Sequence, residues 1–224
     1  MRWNWQQEDW TNFRYDEEAL RPMEEQFLRE GGRWLGAFSH LEAENQESLR
    51  VDLMSQEALQ TSLIEGEVLD RESMQASIRR LLGLETKAVR IRAAEYAIAE
   101  VTVSVYRTFQ NPLSHAQLHE WHQMLCSGRR DLQDIGRYRT HPEPMQIVSG
   151  YVERPQIHFE APPSARIEAE MDQFITWFRE SHPNGSRPLS ALIRAGIAHI
   201  YFESIHPYED GNGRLGRALV DKVL

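Results

Sequence analysis

A short run near the end of the chain, "FESIHPYEDGNGRLGRALV" at 202–220, collects residue types that suit chemistry on a phosphate. His206 is its one histidine. Pro207 cannot continue a helix and disfavours helical geometry at the residue before it. We therefore expect His206 to lie on a loop where a helix ends. Because its ordinary pKa is near neutral, an imidazole there is suited to accept a proton from a hydroxyl group.

The next part of the run predicts a phosphate-binding turn. Gly211, Asn212 and Gly213 tolerate tight or left-handed backbone geometry, and the sequence "RLGRALVDKVL" that follows has helical character. A glycine-containing loop that leads into a helix directs several backbone N–H groups at one point, where the helix dipole adds partial positive charge. This arrangement is typical of an anion-binding nest.

The charged residues of the run fit the same ligand. Arg214 and Arg217 are three residues apart, so they share one helix face and could hold the outer phosphates of a nucleotide. Asp210 offers the hard oxygen ligand that Mg²⁺ prefers. Together they predict a substrate with a phosphate chain, a divalent metal and a hydroxyl to deprotonate. By itself "DGNG" would indicate only a turn, so the residues alone leave an ordinary loop open.

The complete run matches H-P-[FY]-x-D-G-N-G-R-x-x-R and resembles the signature of the Fic family of AMP-transferring enzymes. Tyr208 stands where the family usually has phenylalanine. The resemblance covers roughly 85–224 and includes "AHIYFESI", "GRYR" at 136–139 and the segment ending in "FEAPP". The signature is highly specific, and it favours an active site over a plain loop.

The resemblance implies a role for each residue of the signature. His206 would deprotonate a serine, threonine or tyrosine hydroxyl of a target protein, which would attack the α-phosphate of ATP and release pyrophosphate. Asp210 would hold Mg²⁺. Arg214 would contact the β-phosphate region and Arg217 the γ-phosphate. The backbone of the anion hole would come from Gly211, Asn212 and Gly213.

A second, weaker match lies far upstream in "TSLIEG", Thr61 to Gly66, within a helical stretch predicted to begin near Ser55. It resembles the inhibitory motif [S/T]-x-x-x-E-[G/N] of Fic proteins. In that case Glu65 would pair with Arg217 and occupy the place of the γ-phosphate. On the residues alone, a threonine and a glutamate on an exposed helix are equally ordinary. In some Fic proteins the same glutamate supports removal of AMP, so this reverse activity stays open.

The chain changes character between Gly136 and Pro163, where short alternating runs predict a β-hairpin with strands at Met145–Val148 and Gln156–Phe159. An isolated hairpin is marginal in water, and its outer edge either needs covering or accepts another extended segment. A plain connecting flap is the alternative. The family resemblance implies that the hairpin aligns the target protein by strand addition. The candidate target-binding residues are Met145, Gln146, Ile147, Val148, Ser149, Gln156, Ile157, His158 and Phe159.

Helical periodicity dominates the rest of the chain. Asp16 is expected to cap a helix in which Gly31-Gly32 marks a kink or a break, and Asp70 to cap a helix that closes at Gly83. A long apolar stripe of helical character covers 86–109. Further helices are predicted at "AQLHEWHQMLC", where Ser114 and Gln117 form a capping box, and at "SARIEAEMDQFITWFRES" and "LSALIRAGIAHIYFES".

The predicted fold is therefore mainly α, a Fic-type helical bundle with one β-hairpin flap. We expect an N-terminal helical region at 1–84, which includes the inhibitory helix, and a catalytic core at 85–224. The segment "WNWQQEDWTNFRYD" resembles the start of a domain found on a subgroup of bacterial Fic proteins. Because Fic cores usually continue with further helices, one expectation is that the core is truncated at Leu224.

Composition limits the remaining possibilities. The formal net charge of −9 disfavours a general binder of nucleic acids or anionic membranes. Cys126 is the only cysteine, so no disulfide can form within the chain and a reducing compartment is expected. The sequence has neither a signal-peptide pattern nor an apolar run of membrane-spanning length, which favours the cytoplasm. A homodimer is left open.

Two side-chain clusters are predicted to be structural. Trp3, Trp5 and Trp10 suit packing better than binding. The histidines at positions 115, 119 and 122 share one helical face at a spacing that could hold a metal, yet no accompanying carboxylate motif is present.

Other functions remain as alternatives. The scaffold could transfer another nucleoside monophosphate, phosphocholine, or a phosphoryl group as in the Doc-like branch, although the intact "GNGR" disfavours the last of these. A different class is a non-catalytic target-binding or toxin–antitoxin interaction module. The presence of both His206 and Asp210 argues against that class.

Overall fold

The computed structural model describes residues 2–86, 88–151 and 154–224, and these residues form a mainly helical fold with one two-stranded antiparallel sheet. This confirms the predicted fold class. The helices are α1 (Glu17–Ser39), α2 (Ala43–Ile64), α3 (Arg71–Leu82), α4 (Ala93–Thr108), α5 (His115–Leu125), α6 (Ile167–Glu180), α7 (Ala191–Ile205) and α8 (Asn212–Val223). The strands are β1 (Gln146–Tyr151) and β2 (Arg154–Glu160).

Helix α7 lies in the core, packed between α6 and α8. Its sequence is apolar on nearly all sides, which is typical of a buried helix. Tyr201, Phe202 and Ile205 are fully buried, and Phe174 of α6 meets Tyr201 edge-on with ring centroids 5.2 Å apart. Since the last turn of α7 is held on several sides, the residue at which it ends has a fixed position.

The N-terminal region packs onto this core through α2 and α3. Both helices contact α4, and α2 also contacts α8. Val51, Met54 and Ala58 bury the inner face of α2. This packing places the C-terminal end of α2 beside α8, some 150 residues away in the sequence.

Side chains before α2 also support the core. Glu24 of α1 accepts hydrogen bonds from the backbone N–H groups of Ala191 and Leu192, both at 3.0 Å, and so caps α7. The indole of Trp5 donates to the carbonyl of Glu160 at 2.6 Å. Trp10 packs edge-on against Tyr201. The tryptophans therefore pack, as predicted.

The hairpin forms where it was predicted, with longer strands. β1 and β2 pair antiparallel, with a bulge between Ile147 and Val148. Met145 lies just before β1, and its carbonyl accepts the N–H of Ala161 at 2.9 Å. The turn residues Val152 and Glu153 lie outside the described part of the chain.

Helix α1 corrects one expectation. It runs without interruption through Gly31-Gly32, and none of its residues is buried. A glycine costs a helix about 1 kcal/mol relative to alanine, which a helix of this length tolerates. The apolar residues of α1 spread over a wide arc, so that only one side is half-buried while Trp34 and Leu35 are exposed.

Two helix starts and one capping box also differ from the prediction. α2 begins at Ala43, whereas the sequence predicted a start near Ser55. The earlier start was missed because the first turns of α2 are polar and show no apolar periodicity. α4 begins at Ala93 rather than at 86; Lys87 in that stretch is not described. Ser114 caps α5, but the Gln117 side chain bonds Thr108 instead of completing a capping box. Among the described residues, no helix is long and apolar enough to span a membrane.

Candidate active site

His206 ends α7 in the left-handed conformation, with φ 50° and ψ 60°. Such backbone geometry is uncommon for a residue other than glycine and often marks a functional site. Burial and, to a smaller extent, the nearby charge of Arg139 together lower the pKa of His206 to about 4. The imidazole is therefore neutral at neutral pH and able to accept a proton.

Arg139, the last residue of "GRYR", holds the loop that carries His206. Its guanidinium is buried and donates to the carbonyls of His206 at 2.8 Å and Pro162 at 2.6 Å. A third hydrogen bond reaches the Ser164 hydroxyl, and the Arg139 N–H bonds the carbonyl of Pro207. One side chain thus ties the end of α7 to the segment that precedes α6.

Asn212 closes the same loop from the other side. Its amide accepts from the N–H of Tyr208 at 3.0 Å and donates to the carbonyl of Tyr208 at 2.8 Å. The Asn212 side chain is therefore turned into the protein. Only its backbone, in the first turn of α8, is placed to meet a ligand.

The Tyr208 ring is fully buried against two of the α5 histidines. It stacks on His122 with centroids 4.1 Å apart, and its hydroxyl lies 3.0 Å from Nδ1 of His119. Burial lowers the pKa of His122 to about 4. His122 is fully buried and His119 is half-buried. Within the described residues no group of histidine, cysteine and carboxylate side chains could hold a metal ion by itself.

The N-terminus of α8 depends on two glycines. Gly211 has φ 79°, and a Cβ there would lie 2.9 Å from Leu125 of α5, so both conformation and space require glycine. At Gly213 a Cβ would collide with the carboxylate of Glu65. The absence of a side chain lets an approaching group come close to the backbone N–H groups.

These elements enclose an open cavity of about 330 Å³. Every residue that the signature marks for catalysis, metal binding or nucleotide binding lines it: His206, Asp210, Gly211, Asn212, Gly213, Arg214 and Arg217. Three further residues line the same cavity and were not selected from the sequence: His199, Glu203 and Glu209. Arg129 was not selected either; it contacts Asp210 without lining the cavity.

The end of α2 holds Arg217. Its guanidinium donates from Nε to Oγ1 of Thr61 and from Nη2 to Oε1 of Glu65, each at 2.5 Å. Thr61 and Glu65 are one helical turn apart and therefore share a face. The helix C-terminus adds partial negative charge, which favours an arginine there. Gly66, at φ 79°, ends α2 directly after the glutamate.

A second ion pair from the same turn was not foreseen. Beyond Gly66 the chain bends back, and the N–H of Glu67 bonds the carbonyl of Ser62 at 3.0 Å. The bend brings Oε2 of Glu67 to 3.1 Å from Nη1 of Arg214. The only sequence signal was a second carboxylate in "EGE". Both arginines that would hold phosphates are thus paired with carboxylates.

Asp210 is also engaged. Its Oδ1 accepts the N–H of Gly211 at 2.6 Å, and its Oδ2 pairs with Arg129 at 2.7 Å. Burial acts to raise the pKa of Asp210, but the hydrogen bonds from Arg129 and Gly211 hold it below its ordinary value. A lone ionised carboxylate fits Mg²⁺, which is usually bound by one or two carboxylates together with substrate phosphates. Metal binding through Oδ2 would require Arg129 to move.

The two hydrogen bonds between the Asn212 side chain and the Tyr208 backbone, called the Asn212 clamp below, can be tested by substitution. In Asn212→Ala, two buried backbone groups of Tyr208 lose their partners, and each loss costs about 1–3 kcal/mol. We expect a lower free energy of unfolding, measured by urea denaturation, with little change in Asn184→Ala, an exposed loop asparagine. Equal stability of the two variants would show that the clamp does not hold the loop.

Two family models match the chain. Residues 3–84 match a "Domain of unknown function (DUF4172)", and residues 112–224 match the "Fic/DOC family". The second match covers half of the chain and includes the whole cavity-lining run from His206 to Arg217.

The most similar relatives include a protein of Aquifex aeolicus named "Probable protein adenylyltransferase", 32% identical over 66 residues. The match covers 30% of this chain and 19% of that protein, so the chain spans about a fifth of the curated relative.

Solved structures show the same fold. A Fic family protein from Desulfovibrio desulfuricans has a TM-score of 0.59 at 25% identity, covering 90% of this chain and 57% of that one. A Fic domain containing signaling protein from Bacteroides thetaiotaomicron has a TM-score of 0.63 at 19% identity, covering 84% and 68%. The chain thus belongs to the Fic/DOC family and carries a DUF4172 domain before its Fic region.

Proposed function

We propose that the protein transfers AMP from ATP to a hydroxyl side chain of a target protein. The observation that carries this is the cavity in which a neutral, half-buried histidine faces a helix N-terminus with two arginines. The name of the Aquifex aeolicus relative supports the same activity. A phosphate chain and an incoming hydroxyl are the ligands that this set of groups fits best.

Each group has a role in the proposed reaction. The N–H groups at the start of α8 bind phosphate oxygens, and Arg214 and Arg217 neutralise the outer phosphates. His206 takes the proton of the target hydroxyl as the oxygen forms its bond to the α-phosphorus. The bond from that phosphorus to the bridging oxygen breaks, and pyrophosphate leaves. Mg²⁺, when held by Asp210, would neutralise charge on the phosphates.

The protein as described is a self-inhibited form in this proposal. ATP must displace Glu65 from Arg217 before that arginine can hold the γ-phosphate. A hydrogen bond to a charged group contributes about 1.5–3 kcal/mol, which corresponds to roughly 10- to 150-fold in an equilibrium. Loss of Glu65 should therefore raise activity within about that range.

The hairpin is proposed to bind the target. Ile147, Val148 and Ile157 expose 47%, 50% and 42% of their surface, so the hairpin presents three apolar side chains to solvent. An extended target segment added along the hairpin would satisfy edge backbone groups and cover these side chains. Arg139, which also bonds the carbonyl of His206, bonds the carbonyl of Pro162 just after the hairpin, and Trp5 bonds that of Glu160; these contacts support a hairpin that serves the site.

The central test uses Glu65→Gly with Mg²⁺, cell lysate and ATP labelled on either the α- or the γ-phosphate. We expect α-label on protein to increase about 10- to 100-fold over wild type. Glu47→Gly, an exposed glutamate of the same helix, controls for the effect of glycine on α2. His206→Ala added to Glu65→Gly should abolish labelling.

The same assay distinguishes the alternatives. Transfer of γ-label would indicate phosphorylation. If neither label appears in a folded Glu65→Gly protein, a binding module is favoured. Loss of a preformed AMP label from wild type but not from Glu65→Gly would reveal the reverse reaction.

Glu67 should add a smaller restraint. Its pair with Arg214 is a single contact at 3.1 Å through a carboxylate that is 42% exposed, and exposed ion pairs contribute about 0.2–1 kcal/mol. We expect Glu67→Gln to raise AMP transfer by roughly 1.5- to 5-fold, measured as initial rates at subsaturating ATP, with Glu47→Gln unchanged. A fall in rate would mean that Glu67 assists the reaction instead.

The hairpin proposal is tested by Ile157→Asp in the Glu65→Gly background. A charge at this exposed position should reduce kcat/KM for the target by about 10-fold or more while ATP affinity stays the same. Leu28→Asp, an exposed position on α1, is the matched control. Unchanged target labelling by Ile157→Asp would remove the hairpin from target binding.

A further inference from the structure

Four buried polar atoms of cavity-lining residues have no hydrogen-bond partner in the described part of the chain: Nδ1 of His199, Oε1 of Glu203, Nδ1 of His206 and Nε of Arg214. His199 and Glu203 lie four residues apart on α7 and share one face of the helix, and His206 follows at its C-cap. An unsatisfied buried polar atom costs about 1–3 kcal/mol, and such atoms call for an explanation. Three of these atoms lie together along the end of α7, and one of them belongs to the candidate base, which calls for one explanation of all three.

The Glu203 carboxyl group lies between the two histidines. Its Oε2 is 3.8 Å from Nδ1 of His206. On the other side, a Cβ placed on Gly216 would lie 2.7 Å from Oε1 of Glu203 and 3.1 Å from Nδ1 of His199. Glycine at position 216 of α8 thus leaves the space that the carboxyl group fills. A shift of about 1 Å would make Glu203 an acceptor for the Nδ1–H of His206.

The surroundings leave this carboxyl group able to change its charge near neutral pH. Burial raises the pKa of Glu203 to about 7; Arg217 of α8 acts to lower it, and Glu65 at the end of α2 acts to raise it. The other titratable groups that face it are His199 and His206 on its own helix. The same arginine that Glu65 occupies therefore also faces Glu203.

We propose that Glu203 is a positioning residue for His206. Its carboxylate accepts the Nδ1–H, which keeps the Nε2 lone pair available to the target hydroxyl, and it stabilises the imidazolium after Nε2 has taken the hydroxyl proton. No proton moves to Glu203 in this step: the Nδ1 proton stays on the ring, and the Nε2 proton passes to solvent after transfer. The catalytic part of this proposal rests on the proposed function; the effect on the His206 tautomer does not.

A rival explanation is that the main-chain carbonyl of Glu203 orients the ring without its side chain. That carbonyl also lies beside the His206 ring and acts to raise its pKa. The carbonyl is retained in every side-chain variant, so substitutions at this position separate the two explanations.

The decisive variant is Glu203→Met in the Glu65→Gly background, because methionine keeps the length of the side chain and removes the acceptor. We expect ¹⁵N NMR of His206 to show the Nδ1–H tautomer in the parent and a mixture in Glu203→Met. For AMP transfer, we expect kcat to fall about 100-fold, with the KM for ATP changed less than about 3-fold. Glu203→Asp should recover part of the rate, and Glu168→Met, at an exposed position on α6, should match the parent.

The pH profile gives a second readout. With Glu65 present, kcat should rise with pH as Glu203 ionises around its pKa of about 7, and removal of Glu65 should move this limb to lower pH. The limb should vanish in Glu203→Met. Glu203→Gln supplies the same comparison if Glu203→Met does not fold, since it also cannot ionise.

The outcomes separate the two proposals. An unchanged tautomer and an unchanged kcat in folded Glu203→Met would overturn the role of Glu203. A changed tautomer with no AMP transfer by any variant, including the parent, would overturn the proposed function while supporting Glu203 as the group that orients His206.

Discussion

The guanidinium of Arg217 is the point on which the rest of the site depends. It lies on α8 one turn beyond the phosphate-binding turn, and the C-terminal end of α2 supplies both a hydroxyl and a carboxylate to it. Arginine suits this position because its planar fork matches a carboxylate and a phosphate equally well. In our account Glu65 and the γ-phosphate compete for one group, so the state of the enzyme depends on which of them is bound.

That competition requires a scaffold that keeps the two sides of the cavity at fixed positions relative to each other. Packing of α2 against α4 and α8 fixes the carboxylate side, and the buried α7 fixes the histidine side. Arg139 and Asn212 then lock the loop between α7 and α8 through hydrogen bonds to its backbone. These hydrogen bonds hold the loop at His206 and at Tyr208, and so fix the candidate base relative to the start of α8.

Sequence reasoning located the fold class, the hairpin and the cavity-lining run because each is encoded locally. The Pro207 stop, the glycines of "GNG" and the helical spacing of the two arginines are all visible within a dozen residues. It misjudged Asn212 in part, because nothing local shows that the amide turns inward to Tyr208. The polar start of α2 was missed because a helix stabilised by packing farther along need not show periodicity in its first turns.

The residues that could not be selected from the sequence are those whose role depends on contacts with residues far away in the chain. Arg129 gains its significance from Asp210, and Glu67 from Arg214, each pair separated by 80 residues or more along the chain. Glu203 resembles an ordinary glutamate near the end of a helix until α8 packs against its Oε1 beside His206. Such residues become visible only when the helices are assembled.

The most direct test of the competition for Arg217 is calorimetric titration of wild type and Glu65→Gly with a non-hydrolysable ATP analogue and with AMP. The account predicts that Glu65→Gly binds the ATP analogue about 10-fold or more tightly than wild type does, while AMP, which lacks a γ-phosphate, binds both proteins equally. An equal gain for both nucleotides, or no gain for the ATP analogue, would contradict it.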